Sequence, residues 1–145
     1  MPQIKDDIDL FFNSAGDFAL DNTGDIASTE SDLLLSFKQE IYNRVKSDLQ
    51  DWSMYSWIGA GLSEIIGEPN TRETAEIGKE KIKTALTIGA FLSAEDVNIK
   101  YVPVAKDALM YILEINVDAT PENGYTSEVQ VTLLLDIDNH KLTVY

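Results

Sequence analysis

Between Leu33 and Leu49 the apolar residues recur at helical spacing. Leu34, Phe37, Ile41, Val45 and Leu49 form one stripe, widened by Leu33 and Tyr42. The spacing predicts a helix over 31–49, with Ser28, Thr29 or Ser31 as cap and Glu30 and Asp32 beside its positive end. Lys38, Arg44 and Lys46 alternate with Gln39, Glu40 and Asn43 on the expected outer face. A second helix is predicted after Pro69, where Asn70 and Glu73 have the spacing of a capping box. Its inward positions would be Ala75, Ile82, Ala85, Leu86 and either Ile77 or Gly78, and Gly89 offers a stop.

Beyond Asp96 the period changes to two. "DVNIKYVPVA" turns Val97, Ile99 and Tyr101 inward, and Pro103 argues for an edge position or a strand end. "ALMYILEINVDA" and "SEVQVTLLLDID" flank the turn "TPENGYT" and predict an antiparallel hairpin. Leu109, Tyr111, Leu113, Ile115 and Val117 would match Val129, Val131, Leu133, Leu135 and Ile137 across it. "DNHK" then leads into a last short strand, "LTVY". Ahead of the first helix, "DIDLFFNSAGDFALDNTGDIAS" reads as extended pieces broken by turns at 14–17 and 22–25. Neither an internal repeat nor a low-complexity linker is read anywhere. This order predicts one α+β domain: an N-terminal arm or hairpin (1–30), a helical part (31–89) and a strand-rich part (96–145). Two main helices would pack on a small, mainly antiparallel sheet.

Composition narrows the function classes. A chain of 145 residues that is 44% hydrophobic can close a core without staples, and it has no cysteine for a disulfide, a thiolate nucleophile or a cysteine–metal site. The start "MPQIKDDIDLFF" carries acid where a signal peptide carries base, and no window reaches a membrane span, so a soluble, non-secreted protein is expected. The 25 acidic residues outnumber the 11 basic ones, for a formal net charge of −14. That field disfavours nucleic acid and anionic lipid as partners. Acids crowd the N-terminal segment, whereas Arg72, Lys79, Lys81 and Lys83 gather on the second helix as an expected dock for an acidic neighbour.

Catalytic chemistry finds little to stand on. His140 sits alone in a predicted turn, and Asp136, Asp138 and Asn139 beside it lack calcium-loop spacing. "GAGLSEIIG" places Glu64 where a phosphate loop would need its third glycine. Glu64 and Glu68, either side of the Gly67 turn, are the best pair for a carboxylate-driven glycoside hydrolase, and a helix end and a turn residue otherwise. No catalytic, cofactor-binding or metal-binding residue is assigned. Trp52 and Trp57 have two readings, as seals of the interhelical corner against the sheet or as exposed interface anchors.

The order of "SFKQEIYNRVKSDLQDW", "SMYSWIGAGLSEIIGEPN", "ETAEIGKEKIKTAL", "DVNIKYVPV" and a β-hairpin resembles the baseplate wedge family of contractile phage tails. That family is historically labelled lysozyme-like and is related to sheath initiators. Gln39, Ile41 and Arg44 match its first helix, Gly59 and Leu62 its Trp/Gly turn, Ala85 and Leu86 the end of its second helix, and "FNSAGDFALDNTGDIAS" its opening segment. The chain departs where many members carry Glu-Pro-Arg: it reads "LSAEDVNIK", with Glu95 in place of the glutamate. The resemblance implies a non-enzymatic virion protein, made in the host cytoplasm and placed in the tail baseplate. It would act in wedge or inner-ring assembly, and in sheath initiation by strand exchange, in multiple symmetric copies. Its partners would be wedge, hub or tube, and sheath proteins. Edge-strand pairing would place contacts at Lys141, Leu142, Val144 and Tyr145, and in the N-terminal arm. A wall-degrading hydrolase and an acidic adaptor or DNA mimic are the alternatives.

Overall fold

The structure is a computed structural model and describes residues 9–13, 16–30, 33–105, 108–118, 128–136 and 141–144. Helix α1 runs Leu33–Lys46 and α2 runs Arg72–Thr87. Strands β1 (Val97–Ala105), β2 (Ala108–Asp118), β3 (Glu128–Asp136) and β4 (Lys141–Val144) form an antiparallel sheet in the order β1-β2-β3-β4. The expected α+β architecture is therefore the observed one. α2 lies against α1 and β1, and α1 reaches β4. Phe37, Ile41 and Val45 meet Ile82, Ala85 and Leu86 over Ile99, Tyr111, Leu113 and Ile115 in one buried cluster.

The sheet follows the period-two pattern. Leu113 pairs with Leu133, Ile115 with Val131 and Val117 with Val129, the register expected of the hairpin. Its turn "TPENGYT" and the "DNHK" turn with His140 lie outside the described residues. β1 is an edge strand, and its register with β2 shifts between Pro103 and Ala105, where proline withholds a ladder donor. On the solvent side Lys100 Nζ and Asn98 Nδ2 donate to the Glu114 carboxylate at 3.0 and 2.8 Å. Chiefly through the Lys100 bond, these hold the Glu114 carboxyl below the usual glutamate range.

The helices correct three expectations. α1 stops at Lys46, three residues short, so Leu49 lies outside the helix and is 53% exposed. The chain reverses there: Ala60 N–H donates to Ser47 O at 2.9 Å, Gln50 N–H to Ser56 O at 3.1 Å, and Gln50 takes a positive φ of 74°. Gly59 allows that return, because a Cβ on it would stand 2.5 Å from the Asp48 carbonyl. Neither Ser28 nor Thr29 caps α1: Ser28 Oγ accepts from Glu30 N–H at 3.5 Å, and Thr29 Oγ1 accepts from Asp9 N–H at 2.8 Å. Ser31 lies outside the described residues. At α2 the cap is Thr71, whose Oγ1 accepts from Thr74 N–H at 3.2 Å, while Asn70 Nδ2 donates to Ala105 O at 3.1 Å. Of the two candidates at 77 and 78, Gly78 is buried and Ile77 is exposed.

The arm holds a repeat, which corrects the reading of none, and its eight-residue spacing is present in the sequence. Asp9, Asp17 and Asp25 each open a five-residue piece, 9–13, 17–21 and 25–29, at intervals of eight. Phe11 N–H donates to Ala27 O, Ala27 N–H to Ala19 O and Ala19 N–H to Phe11 O, at 2.8–3.0 Å, which closes a three-cornered ring. A second ring joins Asn13 N–H to Asp17 O, Asp21 N–H to Asp25 O and Thr29 N–H to Asp9 O, at 2.8–2.9 Å. At each corner a side chain repeats the bond: Asn13 Oδ1, Asp21 Oδ1 and Thr29 Oγ1 accept from Asp17, Asp25 and Asp9 N–H. Gln39 on α1 clamps the module, accepting from Phe12 N–H at 3.0 Å and donating to Leu10 O at 2.9 Å, as a neighbouring strand would.

Candidate interaction surface

Arg44 is the centre from which this surface is built. The expectation placed it on the outer face of α1, but it is 6% exposed. Its Nη1 donates to Ile88 O at 3.0 Å and Ala85 O at 3.3 Å, carbonyls in the last turn of α2 and at the residue after it. Its Nε donates to Glu40 Oε1 at 2.9 Å. A cation at a helix C-terminus also complements the dipole there. The guanidinium lies 4.3 Å from the centre of the Phe91 ring and 5.7 Å from that of Trp57.

Trp57 is thereby fixed without being covered. One side of the ring meets Arg44 and Gly89, and Tyr55 stands edge-on with ring centres 6.1 Å apart. Trp57 nevertheless remains 41% exposed, and Trp52, Met54 and Tyr55 are exposed beside it. Neither tryptophan seals the corner against the sheet, which corrects that reading. Residues 47–60 form a connector whose backbone is tied internally and to α1, and whose large side chains face solvent.

Between the connector and α2 runs an open groove of about 490 Å³. Leu49 and Trp57 form one wall, Ile77, Thr84 and Ile88 the other, and Ala85 lies at the floor. Glu76, Glu80 and Lys81 are its ionisable lining. Lys81 donates to Glu64 Oε2 at 2.6 Å, linking α2 to the single helical turn Leu62–Ile65, so Glu76 and Glu80 are the lining carboxylates without an ion pair among the described residues. Glu76 accepts from Tyr101 Oη at 2.8 Å, a bond that raises the Tyr101 phenol above its ordinary range.

The four basic residues expected to act together are divided. Arg72, Lys79 and Lys83 follow one another at seven- and four-residue spacing, a single helical stripe, while Lys81 belongs to the groove and to Glu64. Lys141, Leu142 and Val144 lie in the edge strand β4, paired in register with Asp136, Leu135 and Leu133. Tyr145 lies outside the described residues. Of the two carboxylates weighed for hydrolysis, Glu64 is engaged by Lys81 and Glu68 is exposed in its turn.

Arg44, Leu49, Ile77 and Glu80 were not anticipated here. For Arg44 a signal existed: it stands three residues after Ile41 and seven after Phe37, a buried-stripe position holding a charge. For Leu49 the pattern pointed inward, and for the second helix it left Ile77 and Gly78 open; the end of α1 exposes Leu49, and the rotation of α2 buries Gly78 and exposes Ile77. Comparisons with protein-family models, curated proteins and solved structures find no match.

Proposed function

We propose that this chain is a structural component of a phage-tail or tail-like baseplate, acting through protein–protein contacts in wedge or inner-ring assembly and in sheath initiation. The observation that carries the reading is the connector, where Trp52, Met54, Tyr55 and Trp57 stand exposed on a hydrogen-bonded loop. Aromatic side chains held rigidly at the surface lose little entropy on docking and dominate binding energy where they are buried by a partner. The order of helix, aromatic connector, helix and hairpin, on which the family resemblance rests, also coincides with the observed order of elements. The two sheet edges, β1 and β4, offer backbone groups for strand addition.

Electron microscopy of purified tail particles, with antibody labelling of this chain, tests the reading. Label at the baseplate end of the tail is the expected result, and loss of label is expected when Trp52 and Trp57 are both replaced by alanine. Particles that assemble fully and never contain the chain would sink the proposal.

A further inference from the structure

We propose that the groove between the connector and α2 receives an amphipathic helix of a different protein, with apolar side chains flanked by lysine or arginine. The proposal rests on the binding role given above and names the chemistry of the occupant. The groove walls are themselves exposed, Leu49 at 53%, Trp57 at 41% and Ile77 at 46%. A small molecule is normally enclosed over some 70–90% of its surface, and walls so open would leave one largely in water. An elongated partner is therefore the better fit. From Ile77 to Ile88 the groove follows α2 for roughly 16 Å, which matches about three turns of a helix laid alongside.

Charge decides which helix. With Lys81 held by Glu64, the groove is left with the carboxylates of Glu80 and of Glu76, which bonds only to the neutral Tyr101 phenol, and Asp48 and Asp51 lie on the adjoining connector. A second copy of a chain with formal net charge −14 would bring acid to acid. Lysine or arginine flanking an apolar stripe complements both the rim and the floor. The acidic arm (9–30) is excluded as occupant for the same reason, since it holds four aspartates and a glutamate and no basic residue.

The probe is a synthetic peptide of about twelve residues, with leucine along one helical face and lysine on its flanks, titrated into the isotope-labelled full chain. Expected are amide shifts confined to Leu49, Trp57, Ile77, Thr84 and Ile88 and their neighbours. Glu80→Lys combined with Glu76→Gln, which keeps an acceptor for Tyr101, should weaken binding about tenfold or more. Ile77→Asp, at an exposed site, should weaken it similarly without altering distant amides. The proposal is overturned if a glutamate-for-lysine peptide binds equally, if the shifts map to the arm, or if both variants bind within about twofold of the parent. Peptide binding by a chain absent from tail particles would remove the baseplate reading alone. A chain present in particles whose groove ignores the peptide would remove this inference alone.

Discussion

Arg44 and Gly78 show how much of this fold depends on single side chains at close contacts. Arg44 satisfies the last carbonyls of α2 from inside the core and is stacked by two aromatic rings. Its ion pair with the half-exposed Glu40 adds little, because solvent screens it. Replacing Arg44 by methionine keeps the bulk and removes the guanidinium's bonds to two carbonyls, one of them in a buried bond. Urea denaturation should show a loss of about 2–4 kcal/mol. Arg44→Lys should not restore it, since an ammonium cannot reach both carbonyls and Glu40 together. Gly78 is the reverse case. Tyr111 Oη donates to Ala75 O at 2.7 Å directly over Gly78, and a Cβ there would collide with the phenol. Burial also pushes the Tyr111 phenol well above its usual range, so it stays a donor. Alanine favours a helix by about 1 kcal/mol over glycine, yet Gly78→Ala should lower stability by about 2 kcal/mol through overpacking. A rise in melting temperature would refute this account.

Among the elements, the arm is the one whose form least resembles its sequence reading. Extended pieces and turns were legible from Asn, Gly and Asp, and Gly16 and Gly24 do take positive φ of 86° and 89°. The ring closure was not legible, because each piece bonds to two others and only three loose copies of the repeat exist. Asp21 reports on it. Its carboxylate accepts from Thr23 Oγ1 at 2.6 Å and from Thr23 and Asp25 N–H, and the Thr23 hydroxyl foremost holds its pKa below the usual aspartate range. A carboxyl with a depressed folded-state pKa stabilises fully above the unfolded value and loses that contribution as pH falls through the folded one. The arm should therefore loosen at the acid end of the range, below pH about 4. In a Thr23→Val variant Asp21 should titrate at higher pH, measured from its side-chain carbon resonance. An unchanged midpoint would mean that the hydroxyl bond is not formed in solution.

At the scale of the molecule, the elements set two kinds of surface apart. One is the hydrogen-bonded connector and groove, with acid at its rim; the other is the arm, where Leu10, Phe12, Phe18, Leu20 and Ile26 are exposed among aspartates. Exposed apolar side chains on two hydrogen-bonded scaffolds are the feature on which the proposed assembly role rests. The labelling of tail particles belongs to this scale, since the whole chain and not one residue is what an assembly incorporates. The basic stripe Arg72, Lys79 and Lys83 gives α2 a third, oppositely charged flank.

Periodicity alone determined most of the secondary structure. Buried positions of α2, the hairpin register and the edge placement of β1 follow from apolar spacing and one proline, because side chains at periods of 3.6 and two must share a face. The acidic balance and the absence of cysteine were likewise complete in the sequence. The tertiary structure alone decided what lies between the elements. Where the connector folds back on Ser47 it ends α1 early and exposes Leu49 and Trp57. Where α2 ends, its carbonyls draw Arg44 inward, and Lys81 is turned to Glu64 rather than to its basic neighbours. Such choices are made by contacts distant along the chain, on which local pattern carries no information. For that reason the stretch from Trp57 to Leu86 reads locally as turns and a charged helix, and becomes a groove only in space.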